Sequence, residues 1–381
     1  MTARGRALAV IALSALYSGL SLGGRMFYLA AVFAMLALGS SLLCVLLARR
    51  AMTVTCRLQP DRVPRGEHAR LTARVCCRFP LPLAQLSVTL IAAGERAALP
   101  LTLRRGEGEL TLDVAARHIG EWPAGVEEIV LTDLLGLFRV RARKRGESPS
   151  LLALPRSFEV EPLRFLQSDE GRSLQNRTTE DLSSPEDTRG YRAGDPLKRV
   201  HWKLTARRRE LIVRKFETPA PPDTLILMDC TAPERTDDPE AAAGLRDTLC
   251  ETALSVAEMQ ARGDIFVRVP MYGEHTSEFL SGRGSDIGTL AEMLARQTFM
   301  GGVEFYRVLH LELRRMRRTG ATVIVTSRLN AEVVEGVIHI RRMGPSARVY
   351  YVTHTPDAPE DKPYIAQLQQ NLVEVCYVTP A

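Results

Sequence analysis

The chain has 381 residues, of which 45% are hydrophobic and 25% charged, and its formal net charge is +6. This length exceeds one ordinary compact domain, and the composition is that of a globular protein, so any membrane character must be local. Seven scattered cysteines, an odd number without a Cys-x-x-Cys pair, argue against a disulfide framework and indicate a reducing compartment.

Two apolar runs lie at the N-terminus, one of 18 uncharged residues (7–24) and one of 23 (26–48). At about 1.5 Å per helical residue, the second run crosses a hydrocarbon core of roughly 30 Å, and the first is just long enough. We therefore predict a transmembrane hairpin within residues 1–50. A cleaved signal peptide is the alternative for the first run, because basic residues precede it, but the second run argues against export.

Basic residues flank the predicted hairpin unequally. Arg4 and Arg6 precede it and Arg49 and Arg50 follow it, whereas Arg25 stands alone in the turn. Cytoplasmic flanks of membrane helices carry the excess of Lys and Arg. The sequence thus predicts a multi-pass membrane protein with both termini in the cytoplasm.

Residues 51–165 contain short alternating stretches separated by Pro and Gly, a pattern typical of a β-sandwich. No catalytic set is recognisable among them, which favours a spacing or interaction role. The predicted strands are Thr53–Leu58, Arg70–Val75, Gln85–Ile91, Leu110–Val114 and Glu128–Thr132.

Residues 166–218 begin as a polar linker and end in a basic segment. From Arg189 to Lys215 there are ten Lys and Arg against two acidic residues. We predict a short helix from Lys198 to Arg207, with Arg199, Lys203 and Arg207 on one side at four-residue spacing.

Two interpretations of this basic segment stay open. As a binding surface beside Tyr191 and Trp202, it could contact anionic lipid, nucleic acid or an acidic protein. As a structural element, its arginines would bond carboxylates and carbonyl groups, with Trp202 as a packed anchor. The interleaved turn and apolar residues slightly favour the structural interpretation.

The run from Gly190 to Lys203, continued by Ala206-Arg207 and Glu210-Leu211, closely resembles the signature of the bacterial domain-of-unknown-function 58 family. The segment Thr132–Phe138 is similar to that family's Asp-Pro-Phe-Gly-Leu-Phe segment, with Leu-Leu in place of Pro-Phe. The residues that carry the motif are Gly190, Tyr191, Arg192, Gly194, Asp195, Arg199, His201, Trp202, Lys203, Ala206, Arg207 and Glu210.

The resemblance implies a membrane protein with a von Willebrand factor A-like domain, often encoded beside MoxR-type AAA+ ATPases and transglutaminase-like proteins. It implies no reaction. We therefore expect a non-catalytic adaptor in envelope-associated assembly, whose partners are the membrane and a protein such as a MoxR-type ATPase or a transglutaminase-like protein.

Residues 219–381 alternate between strands and helices, which predicts a doubly wound α/β domain and makes the whole chain an α+β multidomain protein. Leu225–Asp229 forms a continuous apolar strand, and Pro239–Arg262 is predicted as a helix. Ligands bind at the carboxyl ends of such strands, which directs attention to Asp229 and Thr231.

These two residues raise the question of Mg²⁺. Magnesium-binding von Willebrand factor A-like domains offer Asp-x-Ser-x-Ser, whereas this chain has Asp229-Cys-Thr231-Ala-Pro233. Pro233 removes one hydroxyl ligand, and Arg328 follows a later strand where an aspartate is common. The expected cofactor is therefore none, with Asp229 and Thr231 as the residues of a degenerate Mg²⁺ site.

Two further hypotheses compete with the adaptor. One is an enzyme with His201 as acid or base and neighbouring basic residues holding an anionic substrate. The other is nucleic-acid binding by the basic segment, which we do not expect because the segment is short and aromatic residues are few.

Overall fold

The computed structural model describes residues 1–78, 83–103, 106–142, 148–161, 187–191, 200–215, 223–233, 238–281, 287–299, 303–316, 319–356 and 358–380. The chain folds as two compact units. The first unit comprises Met1–Arg156 and Gly288–Gln297, and the second comprises Ser157–Ile287 and Thr298–Ala381.

The first unit begins with two helices, α1 (Ala3–Leu22) and α2 (Arg25–Ala51), each long and apolar enough to cross a membrane. Gly23 turns the chain between them with φ of 67°, a left-handed conformation that suits glycine. Only 17% and 22% of their most apolar windows are buried, which is unlike the core helices of soluble proteins. Helix α1 begins four residues earlier than predicted, because the Thr2 hydroxyl caps it by accepting from Gly5 N at 3.2 Å.

The described part of residues 51–165 contains ten strands, and they cover all five strands predicted there. They form two antiparallel sheets, with the orders β1-β3-β6 and β5-β4-β8-β9, and a small mixed sheet, β2-β10-β7. The strands are β1 (Met52–Gln59), β2 (Arg62–Pro64), β3 (His68–Cys77), β4 (Leu83–Ala92), β5 (Glu95–Leu101), β6 (Glu107–Ala115), β7 (Gly120–Pro123), β8 (Gly125–Asp133), β9 (Arg139–Ala142) and β10 (Ser150–Leu154).

The two antiparallel sheets share one core because alternate side chains of each strand point to the same face. Leu71 and Val75 of β3 are buried with Val88 of β4 and Leu131 of β8. Helix α2 enters the same core through Val45, which is fully buried. The last turns of α2 are thus part of the folded unit.

The turn that begins at Asp133, the last residue of β8, joins both helices to the strands. Its buried carboxylate accepts hydrogen bonds from Ser41 Oγ of α2 at 2.5 Å, from Leu135 N at 3.1 Å and from Phe138 N at 2.6 Å. Thr2, at the start of α1, donates its hydroxyl to Gly136 O at 2.6 Å. The turn after β8 therefore contacts both helices.

We predict that Asp133→Ala destabilises the protein by about 1–3 kcal/mol for each buried donor left unpaired. Ser41→Ala removes only one partner of a carboxylate that keeps two others, so its cost should be about 1 kcal/mol. Thermal unfolding of the full chain in detergent measures both changes. Equal losses for the two variants would contradict this account of Asp133.

The second unit is built on a six-stranded sheet with the order β15-β14-β13-β16-β17-β18, parallel except for edge strand β15. A two-stranded antiparallel sheet, β11-β12, precedes it. The elements are β11 (Asp187–Gly190), α3 (Trp202–Arg208), β12 (Ile212–Lys215), β13 (Asp223–Met228), α4 (Pro239–Arg262), β14 (Val267–Tyr272), β15 (Thr276–Leu280), α5 (Ile287–Ala295), α6 (Phe305–Leu313), β16 (Thr319–Thr326), α7 (Ala331–Arg342), β17 (Ser346–Val352), α8 (Lys362–Gln370) and β18 (Glu374–Val378).

Helices cover the central strands of this sheet. Leu227 and Ile324 pack with α6, α7 and α8 in one core, and α4 packs against β13, β14, β16 and β17. Helix α4 has the predicted bounds, because Asp238 caps it and Pro239 occupies its first turn. The segment Gly288–Gln297, which contains all of α5 except Ile287, belongs to the first unit, where Glu292 pairs with Arg62.

The chain entering the second unit is fixed by two hydrogen bonds. Phe158 N donates to Ser255 Oγ of α4 at 2.9 Å. Arg348 of β17, whose side chain is 2% exposed, donates to Glu161 O at 2.8 Å and pairs with Glu374 at 2.7 Å. This buried guanidinium thus bonds both the incoming segment and the neighbouring strand.

Candidate functional site

The basic motif folds around strand β12. Strand β11 pairs antiparallel with β12, and Tyr191 N donates to Leu211 O at 2.8 Å. Val200 forms a bridge with Val213, and both side chains are buried. Val200 and Val213 therefore lie in the interior of a folded element, as the interleaved pattern indicated.

Helix α3 lies in the chain between Val200 and strand β12, and hydrogen bonds fix its start and its middle. His201 caps its start, because its Nδ1 accepts from Leu204 N at 3.3 Å. Thr205 Oγ1 accepts from Ile212 N at 3.1 Å, which ties the helix to β12. Arg209 ends the helix in a left-handed conformation with φ of 57°.

The outer face of α3 is basic and aromatic. Trp202 is 62% exposed, and Lys203, Ala206 and Arg207 are also exposed. We call these four residues the α3 surface. Trp202 and Ala206, like Lys203 and Arg207, are separated by four residues and so are neighbours on the helix. Glu210, which follows the helix, is exposed as well.

Two expectations about this segment are wrong. Trp202 is not a packed anchor, since most of its side chain is exposed. The helix begins at Trp202 rather than at Lys198, because His201 provides the cap there. Of the motif residues, Arg192, Gly194, Asp195 and Arg199 lie outside the described residues.

The structural role of His201, which is to cap the start of α3, can be tested. Asparagine is among the best helix-capping residues, so His201→Asn should preserve α3. His201→Ala should destabilise the helix by about 0.5–2 kcal/mol, and hydrogen exchange of the Leu204 and Thr205 amides should accelerate. Unchanged exchange in the alanine variant would remove the capping role and leave the side chain available for chemistry.

A second candidate site lies at the carboxyl ends of β13 and β16. These strands are adjacent, and the chain continues from them toward opposite edges of the sheet, which is where open α/β sheets bind ligands. Asp229 follows β13, and Thr326 and Arg328 stand at the end of β16. Thr231, the other residue predicted here, lies beside Asp229.

The Asp229 carboxylate is 1% exposed and is enclosed by donors. Thr231 donates to it through both its amide, at 3.0 Å, and its hydroxyl. Thr326 Oγ1 donates at 2.9 Å, and the Arg328 guanidinium pairs with it at 3.2 Å. Both oxygens of Asp229 therefore have partners.

This donor set does not fit a magnesium site. Mg²⁺ requires several oxygen ligands at about 2.0–2.1 Å with anionic character. Here one carboxylate meets a guanidinium, which supplies the positive charge and repels a cation. Among the residues that the structure describes, no group of three or more His, Cys, Asp or Glu side chains could hold a metal ion.

Breaking this ion pair should be costly. Arg328→Leu leaves a buried carboxylate without its cation, for which we expect a loss of about 3–5 kcal/mol. Combining it with Asp229→Asn removes the charge as well and should recover part of that loss. Urea unfolding of the full chain in detergent measures these changes.

An exposed ion pair supplies the control for that cycle. Arg262 pairs with Glu258 on α4 at 2.6 Å with a side chain 76% exposed, so Arg262→Leu should cost below about 1 kcal/mol. Mg²⁺ should not change the urea concentration at which the unmodified protein is half unfolded. Stabilisation by millimolar Mg²⁺ would contradict the assignment of Arg328 as the cation of this site.

The thiols of the buried cysteines near this site have raised pKa values. Burial raises the pKa of the Cys230 thiol to about 12, and burial also raises the pKa of Cys250 well above its ordinary value. A thiol is nucleophilic only as the thiolate. Neither residue is therefore activated near neutral pH.

Comparisons with known proteins find one family model that matches part of the chain. Residues 187–342 match the family described as "Protein of unknown function DUF58". The match covers the basic motif, α3 and the strand-end site. No curated protein matches the chain.

Three solved structures are similar at low level. The DNA glycosylase AlkC of Pseudomonas fluorescens is 13% identical over 36% of this chain and 42% of its own, with a TM-score of 0.15. Cwp6 of Clostridium difficile is 9% identical over 86% and 53%, with a TM-score of 0.16. Spo0M of Bacillus subtilis is 14% identical over 37% and 58%, with a TM-score of 0.15. The chain thus spans about half the length of these proteins, and the scores are too low to indicate a shared fold.

Proposed function

We propose that this protein is a non-catalytic, membrane-anchored adaptor that binds an acidic protein partner through the α3 surface. The observation that supports this proposal is the exposure of Trp202 beside Lys203 and Arg207. These residues belong to a folded element within the segment that matches the DUF58 family. Tryptophan and arginine are enriched among residues that dominate binding energy at protein interfaces. A MoxR-type AAA+ ATPase is the proposed partner and a transglutaminase-like protein a second one, in envelope-associated assembly.

The proposed anchor is the hairpin of α1 and α2. Both helices are long and apolar enough to span a membrane. Arg4 and Arg6 stand at the start of α1 and Arg49 and Arg50 at the end of α2, so the four lie at the same end of the hairpin. This distribution supports an inner-membrane protein with both termini in the cytoplasm.

We propose that the second unit is a von Willebrand factor A-like domain that works without a metal ion. Counted along the chain, its sheet has the doubly wound order 3-2-1-4-5-6, with an antiparallel third strand. The Asp229–Arg328 pair lies at the strand ends where such sheets bind ligands. In this proposal the pair is structural, and recognition belongs to the α3 surface.

The enzyme hypothesis gains no support from the environment of His201. Its Nδ1 lone pair accepts the Leu204 amide, which leaves one ring nitrogen for any other interaction. The neighbouring Lys203 and Arg207 are exposed rather than gathered in a cleft. An exposed surface of this kind suits a macromolecule better than a small substrate.

The test compares two double variants of the full chain in lipid nanodiscs. Trp202→Ala with Lys203→Glu alters the α3 surface. Arg342→Glu with Met343→Ala is the matched control, because it also reverses one charge and removes one exposed apolar side chain in the second unit. A purified MoxR-type ATPase from the same organism is the probe.

We expect the α3 variant to lose at least about tenfold in affinity for the ATPase, because truncating a central interface residue costs 2 kcal/mol or more. The control should bind as the unmodified protein does. Equal binding by all three proteins would remove the α3 surface as the site, and binding by none would exclude this ATPase as the partner.

A further inference from the structure

The turn between β8 and β9 combines a fixed backbone with exposed apolar side chains. Leu134 and Leu135 are 63% and 53% exposed, although Asp133 and Leu137 on either side of them are buried. The hydrogen bonds from Leu135 N and Phe138 N to Asp133 hold the turn in one conformation. The two leucines are thus presented to the surroundings by a rigid support.

The position of this turn along the helix pair is set by its contacts. Thr2, at the start of α1, and Ser41, within α2, both bond to it. From Ser41 back to Arg25, α2 extends past the turn by about 24 Å at 1.5 Å per residue. That length approaches a hydrocarbon core of roughly 30 Å. A turn at this level lies at the boundary of the bilayer that the helices would cross.

Exposed apolar side chains of α2 stand next to the residue that bonds this turn. Leu42 and Leu43, which follow Ser41, are 39% and 58% exposed. Arg4 is exposed, and its Nη1 lies 3.4 Å from the position that a Cβ on Gly136 would occupy. A guanidinium beside exposed leucines matches the layer of a membrane where phosphates meet acyl chains.

We propose that Leu134 and Leu135 insert into the cytoplasmic leaflet as a third membrane contact, with Arg4 at the lipid phosphates. The occupant of this surface is lipid, because the two leucines follow the Asp133 that bonds Ser41 beside exposed leucines of α2, and Arg4 stands at the same turn. This inference rests on the proposed membrane anchoring. It assigns the Asp133–Phe138 segment two tasks, joining the helix pair to the strands and setting the depth of the first unit in the membrane.

The test uses single tryptophans as depth reporters in the full chain, with Trp122 and Trp202 replaced by phenylalanine. Leu135→Trp reports on the turn. Glu95→Trp is the matched control. Glu95 is exposed at the start of β5, at the opposite end of the same sheet, about 30 Å from the β8–β9 turn along β4. Phe33→Trp reports on α2, where Phe33 is 76% exposed.

Each variant is reconstituted into phosphatidylcholine and phosphatidylglycerol vesicles whose acyl chains carry bromine either near the headgroups or deeper. We expect shallow bromines to quench Leu135→Trp as strongly as deep bromines quench Phe33→Trp, while Glu95→Trp keeps its fluorescence. Leu134→Trp provides a second reporter if Leu135→Trp fails to fold.

The outcomes separate this inference from the anchoring on which it rests. Quenching of Phe33→Trp without quenching of either turn reporter overturns the third contact and keeps the anchor. Absence of quenching at Phe33→Trp overturns the anchor and the inference together. Equal quenching of Glu95→Trp and Leu135→Trp shows nonspecific adsorption and also overturns the inference.

Discussion

A buried carboxylate must recover from protein groups the interactions that it loses with water, because an unpaired buried charge is strongly destabilising. Each unit of this chain places such a group at the end of a central strand: Asp133 is the last residue of β8, and Asp229 follows β13. The donors that satisfy these two carboxylates determine which segments are held together. Much of the local architecture follows from that requirement.

The two aspartates are satisfied by different chemistry, with different consequences. Asp133 receives a hydroxyl and two amide donors, and because the hydroxyl is that of Ser41, the bond joins α2 to the strands. Asp229 receives a guanidinium from Arg328, and the pair fills the place where related sheets bind ligands. The first aspartate thus joins the apolar helix pair to the strands, and the second is neutralised by an arginine from the neighbouring strand end.

The sequence predicts the regular elements well, because periodicity records which face of each element is buried. Helix α4 and the strand around Leu225 occur where the pattern places them. The Asp133–Ser41 bond was not predicted, since 92 residues separate its partners and no local pattern encodes the contact. Arg328 was noted as a missing metal ligand, but only the geometry identifies it as the counter-ion of Asp229.

The basic motif separates into a buried and an exposed part, and this separation bears on its purpose. Val200, Ile212 and Val213 are sufficient to give the element an interior. Trp202 contributes little to that interior, and an exposed tryptophan lowers solubility without adding packing energy. Folding alone therefore explains the buried part of the motif and leaves the exposed tryptophan unexplained. A partner that covers it would recover the apolar burial that the isolated fold forgoes, which is the physical argument for a binding surface on α3.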